Sequence, residues 1–110
     1  MTTQVAQDLR AAADVLERDG WTQGQYKSKD GCLCMIGAVS VALGGVGGEA
    51  TVPSVNGRRM EAARQLLSKQ VGDGANCWFV VLDWNDEPGR TAEGVIAALR
   101  AAADRAEAEQ

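Results

Sequence analysis

The sequence has no histidine among its 110 residues. This absence excludes Ser-His-Asp and Cys-His catalysis, zinc sites with imidazole ligands, and pH switches that depend on imidazole. Aromatic residues make up only 5% of the chain, whereas apolar residues as a whole make up 45%. The core must therefore be built mostly from Ala, Val and Leu, and we expect helices that approach one another closely over alanine.

The chain also lacks an excess of positive charge, since 11 Lys and Arg against 15 Asp and Glu give a net charge of -4. A general nucleic-acid binder needs a cationic surface to displace counterions, so we predict no nucleic-acid partner. There is no apolar run long enough to span a bilayer, and the first residues lead into a helical pattern without a signal peptide. We therefore expect a cytoplasmic protein with no membrane partner, folded as a single domain over residues 1–110.

The three cysteines, Cys32, Cys34 and Cys77, are an odd number. They could offer three thiolates to a metal ion, but the Cys-x-x-Cys spacing of structural zinc sites is missing. Free cysteines more often pack as small apolar side chains, so we predict no metal site and no cofactor. Cys34 near Asp30 could also act as a nucleophile, although it would be inert at the start of a buried helix.

Three segments carry apolar residues at the spacing of an amphipathic helix. They cover residues 3–19, the stretch from 54 or 56 to about 71, and residues 92–106. Thr3 and Thr91 are the expected N-caps of the first and last of these helices, and Ser54 or Asn56 is the expected N-cap of the second. Gly20 is a natural C-terminal stop for the first helix.

The charged residues of these helices are expected to face solvent. Arg58, Arg59 and Arg64 form a basic cluster that could meet an anionic partner, but a solvated face is the simpler account. In the last helix, Arg100 and Asp104 have the i, i+4 spacing of an ion pair within one helix.

The segment from Cys34 to Leu43 is apolar on nearly every side, which is typical of a buried helix. Two glycines follow it and end it. The Asp-Gly turn at residues 30–31 permits a short hairpin between residues 25–27 and 32–34. We predict an all-α fold, a compact bundle of about five short helices around this central helix.

The segment from Cys77 to Trp84 can be interpreted in two ways. Its Trp, Phe and Val residues favour a strand, whereas Asn76 before it and Asn85 after it are capping-type residues that permit two turns of helix. We predict a helix, because no partner strand is evident elsewhere in the sequence.

Residues 84–91, Trp-Asn-Asp-Glu-Pro-Gly-Arg-Thr, are predicted to form a rigid turn and to hold the candidate binding site. The candidate binding residues are Trp84, Asn85, Asp86 and Arg90. Arg90 could present its guanidinium to a carboxylate or phosphate at a helix start, where backbone donors favour anions. In the structural alternative, Asp86 locks the turn by bonding Arg90 or nearby backbone amides, and Trp84 lies in the core.

Two stretches of the chain carry a resemblance to known proteins. The first includes Leu-Arg-Ala-Ala-Ala at residues 9–13, Gly-Trp-Thr-Gln-Gly at 20–24, Asp-Gly at 30–31, Cys34 and Gly-Ala at 37–38. The second is the string at residues 84–91. With these motifs the chain resembles a family of small uncharacterised proteins, a domain of unknown function from actinobacteria and their phages. The resemblance implies a bacterial or phage setting and no particular activity.

Together these observations favour a non-enzymatic protein-interaction module, an accessory protein of a phage or bacterium whose partner is a host or bacterial protein. We predict no catalytic residue, because no catalytic motif is present and nothing near Asp83 and Asp86 would tune two carboxylates for acid-base chemistry. The alternative is a small enzyme, or a protein that binds an anion or another ligand, using the Asn85–Thr91 turn. A homodimer formed through the wide apolar helix faces also stays open.

Overall fold

The computed structural model describes residues 3–47, 52–72 and 75–109, and within them five α-helices follow one another along the chain. They are α1 (Gln4–Asp19), α2 (Met35–Ala42), α3 (Gly57–Val71), α4 (Trp78–Asp86) and α5 (Ala92–Ala108), with a 3-10 helix (Ser54–Asn56) directly before α3. Extended strands are absent from these three ranges, so the predicted all-α fold is confirmed, as is the helical prediction for the segment from residue 77 to 84. The radius of gyration, 12.4 Å, is close to the roughly 13 Å of a compact chain of this length.

The helix α1 begins and ends where its sequence predicts. Oγ1 of Thr3 accepts a 3.1 Å hydrogen bond from the backbone N–H of Ala6, which caps the first turn. Gly20 ends the helix with φ +91, and a Cβ on it would lie 2.8 Å from Sγ of Cys32. Thr91 caps α5 in the same way as Thr3 caps α1, by accepting a 3.0 Å hydrogen bond from the backbone N–H of Gly94.

The helix α2 lies in the core and packs on α1, α3 and α4. Its first six residues, Met35–Ser40, are buried, and its last two, Val41 and Ala42, are half-buried. The burial predicted for this segment is therefore confirmed for most of its length. The helix α5 also packs along α1, and both helices bury alanines. The buried alanines of these two helices are Ala6, Ala12, Ala13, Ala102, Ala103 and Ala106.

The predicted hairpin before α2 is present as a single bridge, with no ladder. Lys27 and Leu33 form an antiparallel bridge, and the backbone N–H of Cys34 donates to the carbonyl of Tyr26 at 3.1 Å. Leu33 also forms a parallel bridge with Trp21 on its other side. Leu33, only 1% exposed, therefore holds the segment after α1 and the hairpin together beneath α2.

The N-cap position of α3 is Asn56, one of the two residues predicted for it, but the side chain of Asn56 is used elsewhere. Asn56 occupies the N-cap position but makes no side-chain capping bond. Its Nδ2 donates to the carbonyl of Leu43 at 2.7 Å, and its Oδ1 accepts from Arg59 at 3.2 Å. Asn56 thus ties the end of the central helix to the start of α3.

The charged residues on the helix surfaces pair between helices more than within them. Arg59, predicted to be solvated, donates to both carboxylate oxygens of Asp8 at 2.7 and 3.1 Å, and Asp8 is only 3% exposed. The prediction that Arg100 pairs with Asp104 is also wrong, because Arg100 reaches across to Glu17 of α1 at 2.8 Å. Both arginines pair with residues of α1 because of tertiary packing, since these groups face each other only after α1 has packed against α3 and α5.

Candidate functional site

Three of the four predicted site residues lie on the last turn of a helix, not in a turn. The helix α4 runs through Trp84, Asn85 and Asp86 before it ends, which corrects the prediction of a rigid turn from residue 84. The turn itself covers residues 87–90, where the backbone N–H of Arg90 donates to the carbonyl of Glu87 at 3.1 Å. As a result, the candidate residues point in two directions, with Asn85 inward and Arg90 outward beside Trp84.

The Asn85 side chain is completely buried and makes four hydrogen bonds. Its Oδ1 accepts from the indole Nε1 of Trp21 at 2.8 Å and from the backbone N–H of Met35 at 3.0 Å. Its Nδ2 donates to the carbonyl of Thr22 at 3.2 Å and to the carboxylate of Asp86 at 3.0 Å. A carboxamide has two donors and two acceptor sites, so Asn85 has no remaining capacity for a ligand.

The residues around Asn85 extend this network along the segment after α1. Oδ1 of Asp86 accepts from the backbone N–H of Gly24 at 2.9 Å. Nε2 of Gln23 donates to the carbonyls of Asn85 and Glu87 at 3.0 and 2.9 Å. The end of α4, the start of α2 and residues 21–24 are thereby joined into one hydrogen-bonded unit. The sequence pattern does not predict that residues 21–24 join the candidate site, because they lie more than 60 residues before it in the chain.

Arg90 is held by groups of its own turn. Its Nε donates to the carbonyl of Trp84 at 2.9 Å, and its Nη2 lies 2.5 Å from a carboxylate oxygen of Glu87. The guanidinium carbon stacks over the indole ring of Trp84, 3.9 Å from the ring centroid. The guanidinium that an anion would need is therefore engaged within the chain, and at the start of α5 the backbone N–H of Gly94 donates to Oγ1 of Thr91.

The three thiols lie in different environments. Cys34 is fully buried at the start of α2, where its Sγ accepts a hydrogen bond from the backbone N–H of Gly37 at 3.3 Å. Burial raises the pKa of the Cys34 thiol, which opposes formation of a nucleophilic thiolate. Cys32 and Cys77 are half-buried. Among the residues of known position, no group of three Cys, Asp or Glu side chains is arranged to hold a metal ion.

One surface feature was not predicted. Phe79 is 75% exposed, although it stands in the most apolar part of α4. The helix α4 and the end of α3 also enclose a shallow groove of about 410 Å³, which we call the α4 groove. The residues that line it are Val71, Val80, Asp83, Trp84 and Glu87. Its walls thus combine three apolar side chains with two carboxylates.

The sequence contains one signal for this exposure. Phe79 and Asp83 are four residues apart, so in a helix they occupy the same face, and Asp83 is a residue type that stays in water. In the structure Asp83 is exposed together with Phe79, whereas Val81 and Asn85 occupy the buried face of α4. The position of Asp83 therefore predicts that the aromatic residue one turn before it is exposed.

Comparison with known proteins shows the family to which the chain belongs. A family model described as a family of unknown function, DUF6197, matches residues 1–105, and the chain is a member of that family. Searches of curated proteins and of solved structures give no significant match. The part of the chain that the structure describes has no helix that is long and apolar enough to cross a membrane.

Proposed function

We propose that this member of the family is a non-enzymatic protein-interaction module that docks a partner protein on the α4 groove and Phe79. The observation that carries the proposal is the 75% exposure of Phe79 on α4, the helix that also supplies most of the residues lining the groove. A large aromatic side chain left in water loses the free energy that burial would provide, and aromatic residues are frequent anchors of protein interfaces.

A binding role is also supported by the bonds of the polar groups at the end of α4 and by the burial of Cys34. Asn85 is saturated by bonds within the chain, Arg90 is paired with Glu87, and Cys34 is buried as a neutral thiol. These groups stabilise the fold and leave the outer face of α4 to make contacts. The resemblance to proteins of actinobacteria and their phages supports a bacterial protein as the partner.

Site-specific photo-crosslinking tests the proposal. A benzophenone amino acid replaces Phe79, and the purified chain is irradiated in a lysate of the organism that encodes it. The control carries the same amino acid at Ala101, an exposed position of α5. We expect a discrete adduct at position 79 that is absent at position 101 and is identified by mass spectrometry.

Competition then separates specific docking from chance proximity. Excess unmodified chain is expected to suppress the adduct at position 79, and the Phe79→Ser chain is expected to suppress it far less. If both competitors suppress the adduct equally, or if positions 79 and 101 give the same adducts, the α4 groove is not the docking surface.

A further inference from the structure

The end of α4 is acidic as well as apolar. Residues 75–91 contain three carboxylates, Asp83, Asp86 and Glu87, and one cation, Arg90, which gives this segment a net charge of -2. Asp86 accepts hydrogen bonds from the backbone of Gly24 and from Asn85, and Glu87 is paired with Arg90. Asp83 is exposed and forms no ion pair with any residue in the described ranges. It is therefore the carboxylate of the groove that remains available.

Arg90 shows, within this chain, what kind of group the acidic end of α4 holds. Its guanidinium lies over the Trp84 ring, 3.9 Å from the centroid, and 2.5 Å from the Glu87 carboxylate. An aromatic face together with a carboxylate is a favourable site for a cation with an apolar stem. In the α4 groove, the carboxylate of Asp83 lies among lining residues that include the apolar side chains of Val80 and Trp84.

The spacing of residues along α4 places an apolar side chain, Phe79, on the same side of the helix as the carboxylate of Asp83. Phe79 and Asp83 are four residues apart in α4, so they form a ridge along one side of the helix, and Glu87 follows directly after the end of that helix. A partner cation at Asp83 would bring its neighbouring residues to Phe79, which is 75% exposed. The ridge thus has an aromatic contact at one end and negative charge at the other.

We infer, on the basis of the proposed function, that the α4 groove binds a protein segment that presents a Lys or Arg side chain next to a large apolar side chain. The cation pairs with Asp83 while its aliphatic stem lies on the groove, and the apolar side chain covers Phe79. The negative charge of the ridge disfavours nucleic acids and anionic membranes as occupants.

Peptide display tests the chemistry of the occupant without knowledge of the natural partner. Random linear peptides displayed on phage are selected on the wild-type chain, with counter-selection on the Phe79→Ser chain. We expect the enriched peptides to share Lys or Arg close to an aromatic or large aliphatic residue. An enriched peptide is then synthesised, and its affinity is measured for the wild-type chain, for Asp83→Asn and for Glu93→Gln.

Asp83→Asn is expected to weaken binding by about fivefold at low salt, and the difference should shrink as salt is added. Glu93→Gln removes one exposed carboxylate from α5 and is the charge-matched control, with less than about a twofold effect expected. Circular dichroism of each variant confirms that its helices are unchanged.

The outcomes separate this inference from the proposed function. Enriched peptides that depend on Phe79 but have no cation, or that bind Asp83→Asn as tightly as the wild type, overturn the inference and leave the interaction module standing. Absence of any Phe79-dependent peptide overturns the inference too, and the crosslinking experiment then decides the proposed function separately. Equal loss of affinity in Asp83→Asn and Glu93→Gln would show only a general effect of net charge and would also overturn it.

Discussion

The indole Nε1 of Trp21 donates a 2.8 Å hydrogen bond to Oδ1 of Asn85, which stands 64 residues later in the chain. The same oxygen accepts from the backbone N–H of Met35, so one buried carboxamide joins the segment after α1, the start of α2 and the end of α4. Residues 20–24 and residues 84–91 therefore contact each other in the structure. The polar side chains of these residues bond to groups within the chain. We therefore place the proposed function on the exposed face of α4.

The first prediction concerns Asn85→Asp. An aspartate keeps an acceptor for Trp21 but places a second carboxylate oxygen against the carbonyl of Thr22 and the carboxylate of Asp86. At neutral pH we expect the free energy of unfolding to fall by about 3 kcal/mol or more, because an uncompensated charge is buried. Urea unfolding measures this loss.

The loss of stability in Asn85→Asp is expected to depend on pH, because burial changes the pKa of the new carboxyl. Burial beside acceptors raises the folded-state pKa of the new carboxyl above its unfolded value, so the destabilisation is smallest below the unfolded pKa, about 4, and grows as pH rises through the folded pKa. Asn76→Asp is the control, because Asn76 is exposed and accepts from Arg64, a contact that an aspartate keeps. A loss in Asn85→Asp that does not depend on pH would contradict the predicted cause.

The second prediction compares two neighbouring arginines. Arg59→Gln leaves the Asp8 carboxylate, only 3% exposed, without its cation, and we expect a loss of about 2–4 kcal/mol in the free energy of unfolding. Arg58→Gln changes an exposed residue and is expected to stay within about 0.5 kcal/mol of the wild type. The double variant Asp8→Asn/Arg59→Gln should recover part of the loss, since it leaves no buried charge. Equal effects at positions 58 and 59 would show that the ion pair contributes nothing.

The third prediction compares two glycines in helices. A Cβ on Gly37 would lie 2.5 Å from the carbonyl oxygen of Tyr26 and 3.1 Å from that of Gly47, so Gly37→Ala forces backbone apart in the core. We expect this substitution to cost about 1–3 kcal/mol. A Cβ on Gly57 meets no atom within 4 Å, so Gly57→Ala should be neutral or stabilise by up to about 1 kcal/mol. Thermal unfolding of both variants tests the contrast, and a stabilised Gly37→Ala would contradict the close approach at α2.

The fourth prediction concerns the cysteines. Because burial raises the pKa of Cys34, its thiolate fraction at a given pH is below the ordinary value, and its thiol is shielded from reagents. We expect iodoacetamide at mildly alkaline pH to label Cys32 and Cys77, which are half-buried, well before Cys34. Peptide mapping by mass spectrometry identifies the labelled residues, and labelling in urea is the control that exposes all three.

The raised pKa of the Cys34 thiol also predicts how the stability of the protein depends on pH. A thiol whose folded pKa is raised contributes stability that is complete below its unfolded pKa, about 8.5, and that is lost as pH rises through the folded pKa. Wild-type stability should therefore fall at alkaline pH by more than that of Cys34→Ala. Rapid labelling of native Cys34, or equal alkaline losses in the two chains, would contradict its burial.

Much of the fold could be predicted from local patterns in the sequence. The apolar spacing in α1 and α5, their threonine caps and the stop at Gly20 are confirmed, because these features depend on residues within one or two turns of each other. The burial of α2 followed from the absence of a polar face. The helical state of α4 was predicted by exclusion of a partner strand and is also confirmed.

The tertiary structure alone decided which side chains of these helices meet. The sequence determined helices, caps and a buried central segment, because backbone hydrogen bonds and hydrophobic periodicity are short-range properties of the chain. It did not determine that Asp8 pairs with Arg59 or that Asn85 binds Trp21, since such contacts depend on how two helices are rotated against each other. For the same reason, packing decided that Asn85, six residues after the exposed Phe79 on the same helix, points into the core.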